Sequence, residues 1–126
     1  AHLVLEERML THGSQSAETR MDAEIIGQGG SVQVISRSVA KDDSRQVFYP
    51  RVIGKAACKA HVQCDAIIMD RAHVRSIPEI DAQHPDAELV HEAAIGKIAG
   101  EQIIKLMTLG LNEQEAEETI LQGFLK

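Results

Sequence analysis

The sequence predicts a mainly β chain, a β-solenoid of stacked coils with a short α-helical end, and three observations carry that prediction. Short runs alternate apolar and polar residues and are rich in β-branched side chains. Strand-like segments recur at a nearly constant step. Near the C-terminal end the period of the pattern turns from two to that of a helix.

The alternating runs are Ser31-Val32-Gln33-Val34-Ile35-Ser36-Arg37-Ser38-Val39, then Gln46-Val47-Phe48-Tyr49, then His61-Val62-Gln63-Cys64-Asp65-Ala66-Ile67-Ile68-Met69. Turn residues separate them: Gly27-Gln28-Gly29-Gly30, Lys41-Asp42-Asp43-Ser44 and Asp70-Arg71. Ile25-Ile26-Gly27 recurs as Val52-Ile53-Gly54, an offset of 27 residues (54 − 27), and Ile26, Val39, Ile53, Ile68 and Ile80 step by 12 to 15. Stacked coils fit such spacing. A hairpin sandwich is the rival, but it would be expected to show Asn-Gly or Asp-Gly turns, and the sequence has neither.

From about residue 92 the pattern is helical. Glu101 to Leu109 forms one amphipathic run, stopped by Gly110. Asn112 followed by Glu115 reads as a capping box for a second helix. Its stripe is Ala116, Ile120 and Phe124 at i, i+4 and i+8, while Glu113, Glu115, Glu117 and Glu118 form a solvated, dipole-favoured face. The expected division is therefore 1–91 for the β core and 92–126 for the helical region. The strand-like opening His2-Leu3-Val4-Leu5, with no turn before it, suggests a chain cut inside a fold.

Composition narrows the function. At 126 residues the chain has room for one hydrophobic core. A net charge of −6 argues against a nucleic-acid backbone as the main partner, and 2% aromatic content leaves no base-stacking platform. One Tyr, two Phe and no Trp also count against a solenoid enzyme that stacks sugars. No apolar run approaches the ~20 residues of a membrane span. Two cysteines make no secreted disulfide framework, so a cytoplasmic setting with reduced thiols is expected.

Few residues carry chemistry. Cys64 shares a strand face with Val62 and Ala66, so it reads either as a buried small hydrophobe or as a thiolate, a soft metal ligand. His91 reads as a strand-end histidine bonded to backbone or as a neutral imidazole ligand, with Glu92 as its partner or as a further ligand. A zinc-protease motif would need histidine at 95, which is Ile95. Cys58 sits in a turn-like stretch and reads as structural. Gly27 to Gly30 matches no phosphate-cradling motif.

The order of several short motifs resembles the C-terminal part of the SufB/SufD family. These are Gln63-Cys64-Asp65, Ile77-Pro78-Glu79-Ile80, Val90-His91-Glu92-Ala93-Ala94 with Lys97-Ile98 and Glu101-Gln102, and the tail Ile120-Leu121-Gln122-Gly123-Phe124. The resemblance implies a right-handed parallel β-helix and a C-terminal helical domain. It implies a non-enzymatic scaffold for iron–sulfur cluster assembly, holding a transient cluster and binding no nucleotide itself. The implied partners are a SufC-like ABC ATPase and a SufB/SufD-like subunit or a second copy. Cys64, His91 and Glu92 fall on the family's cluster-building positions. Ile103, Leu106, Met107, Ile120 and Phe124 would carry the ATPase contacts. The alternative is a non-catalytic β-solenoid interaction module in which Cys64 and His91 are structural.

Overall fold

Alternation sets the architecture: each strand sends every second side chain inward, and the chain buries that set by coiling on itself. The computed structural model describes residues 1–126. Its strands are β1 (His2–Thr11), β2 (Ser16–Ile25), β3 (Gly30–Ala40), β4 (Arg45–Gly54), β5 (Cys58–Ile68), β6 (His73–Ser76), β7 (Glu79–Ala82) and β8 (Ala87–Gly96). Two helices follow, α1 (Gly100–Thr108) and α2 (Glu113–Leu125). Every strand pairing is parallel. One sheet has the order β1-β3-β5-β8, and the other runs β2-β4-β6 with β7 also on β4. This is a parallel β-solenoid of two facing sheets.

The coil length is read from the register. Ile25 lies opposite Gly54, an offset of 29 (54 − 25), and Val34 lies opposite Val62, an offset of 28 (62 − 34). The 27-residue offset expected from the Ile-Ile-Gly repeat was therefore one or two residues short of a coil. The 12-to-15-residue steps mark half-coils, one per sheet.

The core lies between the sheets. Val34, Val52 and Val62 are each 1% exposed, and full burial of such a side chain stabilises the fold by roughly 1.5–3 kcal/mol. Phe48, Ile25, Val32 and Cys58 join them. Cys58, expected in a turn, is instead the first residue of β5 and faces this core.

The turns stack as the strands do. Gly13, Asp42 and Asp70 all have φ between 56° and 58°. The Asp42 carboxylate accepts from Gly13 N at 2.8 Å, and the Asp70 carboxylate accepts from Asp42 N at 3.2 Å. Aspartate is one of the few side chains that tolerates this left-handed conformation, so each coil caps the turn of the one before. In the third coil Ile77-Pro78 splits the strand into β6 and β7, because proline offers no N–H to the ladder.

The β structure runs past residue 91, where the division was expected: β8 continues through Gly96, held in register on β5. Helix α1 ends with Gly110 at φ 100°. The capping box forms as read, with Asn112 Oδ1 accepting from Glu115 N at 2.8 Å and Glu115 Oε1 from Asn112 N at 3.1 Å. Helix α2 lies along β3, buries Ala116 and Leu121, and is pinned where Arg37 donates to the Lys126 carbonyl at 2.8 Å. No helix is long and apolar enough to cross a membrane.

Candidate metal centre

Strand parity decides which candidate residues meet. On β5 the inward residues include Val62, Cys64 and Ala66, all buried. Register places Val62 opposite His91 and Cys64 opposite Ala93. His91 is thus inward too, one diagonal step from Cys64, and its Nε2 lies 3.7 Å from the Cys64 Sγ. It is a mid-strand residue of the last coil, bonded to a thiol rather than to backbone as the plainer reading had it. From the facing sheet, the Ser76 hydroxyl donates to the same sulfur at 3.4 Å. Three strands, β5, β6 and β8, therefore converge on one sulfur atom.

Both groups are held neutral. Burial pushes the Cys64 thiol above its usual value, the Ser76 hydrogen bond draws it partly back, and the charges of Asp65 and Glu7 add to the rise. Burial, helped by the neighbouring His61, lowers His91 below the ordinary histidine value of 6.5. Neutral imidazole is the form that binds metal. A thiol, by contrast, must lose its proton to do so, and the metal itself drives that loss. The lowered His91 value also ties stability to pH. The unfolded chain takes up the proton more readily, so stability is lost as pH falls through the unfolded value near 6.5. We expect the melting temperature to drop between pH 7.5 and 5.5, and His91→Gln to reduce that drop.

Glu92 does not partner His91. Adjacent residues of a strand point to opposite faces, and Glu92 faces outward, where its carboxylate lies 3.3 Å from His61 Nε2. The expected trio is therefore split, with Cys64 and His91 inside and Glu92 outside beside His61. No group of three or more His, Cys, Asp or Glu forms a ligand set. Among the residues expected to contact a partner, Ile103, Leu106, Ile120 and Phe124 are half-buried and Met107 is 45% exposed. Ile104 and Leu109, not singled out from the sequence, are more exposed still.

Sequence reasoning also passed over Ser76, Ser36 and Glu7. Ser36 pairs with both Glu7 and Cys64 in register, so the three form one inward row across β1, β3 and β5. With Ser76 they line an internal cavity of about 20 Å³. The signal was available in the parity of each strand once the coil length was known.

A parallel β-helix with a thiol–imidazole pair inside its last coil and a helical hairpin folded back on its flank defines the class of protein. Residues 1–124 match the SufBD core domain of the SUF system of FeS cluster assembly. The chain is 37% identical over 126 residues to an iron–sulfur cluster assembly SufBD family protein of Archaeoglobus fulgidus, covering 98% of this chain and 32% of that one. It is 33% identical over 124 residues to one from Pyrococcus horikoshii (98% and 38%), and 33% over 117 residues to one from Methanothermobacter thermautotrophicus (90% and 28%). The chain belongs to the SufBD family of iron–sulfur cluster assembly. It spans about a third of the length of these relatives.

Proposed function

We propose that this chain is part of a scaffold subunit of a Suf-type complex, one that supplies Cys64 and His91 to an iron–sulfur cluster under construction. The 3.7 Å approach of the Cys64 sulfur to His91 Nε2 carries the reading. In it the cluster is cargo, the chain is not itself an enzyme, and ATP chemistry belongs to a SufC-like ABC ATPase in the cytoplasm.

Two ligands are too few for a cluster that usually takes four protein ligands, so the site is completed by a second SufB/SufD-like subunit or another copy. The outer strand β8 supports such pairing. It is hydrogen-bonded to β5 alone, contains no proline, and so presents an unbroken row of backbone donors and acceptors. At the same end of the solenoid the opposite sheet is interrupted at Ile77-Pro78, so β8 is the unbroken edge there, while β1 and β2 form the edges of the other end. Glu92, on the outer face, is then placed for a partner's surface rather than for the interior sulfur. Helix α1 supports ATPase docking, since it buries none of its residues and leaves Ile104 and Met107 bare, with Leu109 just beyond.

The test is co-expression of the full-length protein with its ABC ATPase, followed by anaerobic purification. A stable complex carrying iron and visible cluster absorption is expected. Recovery of neither complex nor iron would leave the chain as a β-solenoid interaction module with a structural Cys64 and His91.

A further inference from the structure

We propose that Glu7 anchors an internal water beside Cys64 and acts through it as a positioning residue for the sulfur, a role that rests on Cys64 being a working thiol.

The argument starts from an unusual row of inward side chains. Glu7, Ser36 and Cys64 occupy matching positions on β1, β3 and β5, where most inward residues of the solenoid are apolar. Across the gap Thr19 and Ser76 face them, both in register with Phe48 on β4. Thr19 donates to Glu7 Oε1 at 3.1 Å and fixes the carboxylate. The other oxygen, Oε2, is buried with no hydrogen-bond partner in the protein. An orphaned carboxylate oxygen is costly to keep dry.

The cavity beside it answers that cost. Its volume of about 20 Å³ exceeds the ~10–15 Å³ that one water requires. Its walls include Glu7, Ser36, Ser38, Ser76 and Cys64, so a water there has the two to four polar partners it needs. Ser36 is small, and this leaves the row open between Glu7 and Cys64. A water held on Glu7 Oε2 sits in the cavity that Cys64 and Ser76 also line, and adds a polar neighbour on the Glu7 side of a sulfur that already meets Ser76 and His91.

Two variants isolate the water from the charge. Glu7→Gln and Glu7→Met both remove the carboxylate's charge, which acts on the Cys64 thiol, but only glutamine keeps a hydrogen-bonding group at the cavity. A crystal structure of the apo chain is expected to show one ordered water on residue 7 in the native and Glu7→Gln proteins and none in Glu7→Met. Alkylation of Cys64 at fixed pH is expected to be about three- to tenfold slower in Glu7→Met than in Glu7→Gln, the worth of roughly one hydrogen bond. Cys58, buried in the same strand, is the internal control, because a variant that merely loosens the coils changes both thiols together. Equal Cys64 rates in the two variants, parallel changes at Cys58, or a cavity without water in the native protein would each overturn the proposal. These readouts need no iron and no partner, so they stand or fall separately from the cluster experiment.

Discussion

Cys64→Ser protein, purified anaerobically with its partners, is expected to retain less than about a tenth of the iron held by the native complex, because a hydroxyl replaces the soft ligand that iron–sulfur chemistry selects. His91→Ala is expected to weaken retention by at least about 10-fold, since losing even an outer-shell partner of a metal ligand costs about 10- to 100-fold. Iron analysis and visible absorption read both effects. Neither loss should come from unfolding. Serine at 64 keeps a hydrogen-bonding group opposite the Ser76 hydroxyl, 3.4 Å from the present sulfur, and His91 lies in the last, half-covered strand. Melting curves close to native would establish this. Full iron retention in both variants would make the thiol–imidazole contact a packing detail of the last coil.

The second large effect is expected at Gly54, the last residue of β4, whose close neighbours lie on β5 and β8, the strands of Cys64 and His91. A Cβ at this position would lie 2.9 Å from Cys58 Sγ, 3.2 Å from Ala87 Cβ and 3.4 Å from Leu89 Cδ2. The cysteine could turn aside, but Ala87 has no freedom to move except with its backbone. Gly54→Val should therefore destabilise the fold by about 1–3 kcal/mol through overpacking, a sizeable share of the roughly 5–15 kcal/mol that holds a typical domain. Denaturant titration would show a lower midpoint at unchanged slope. Ala87 and Leu89 belong to β8, which also carries His91, so the variant should lose iron as well. A midpoint within experimental error of native would mean that the sheets separate freely at this end.

Much of the fold was legible because parity survives errors of register. Val62, Cys64 and Ala66 were placed on one inward face from alternation alone, and the structure puts all three inside. The capping box at Asn112 was equally local and formed as read. The coil length was harder, since a 27-residue offset and the true 28 or 29 differ by no more than the length of a turn. That difference decides the site. At 27, His91 would stand directly opposite Cys64; in the actual register Ala93 does, and His91 reaches the sulfur on the diagonal. Glu92 was grouped with His91 because it is adjacent in sequence, but adjacency on a strand means opposite faces. Ser76 and Glu7 lie 12 and 57 residues from Cys64 (76 − 64 and 64 − 7), and only the stacking of coils brings them to it.

The one-sided pairing of β8 has a dynamic consequence. Cys64 lies in a strand clamped on both sides, by β3 and β8, whereas His91 lies in a strand clamped on one. Local opening is cheapest where a strand has a single neighbour, so thermal fraying lifts the imidazole and leaves the sulfur seated. Amide exchange should run markedly faster along Ala87–Gly96 than along Cys58–Ile68. In the proposed scaffold role, opening of this kind would let a cluster leave once β8 is free of a partner, with the rest of the molecule still folded.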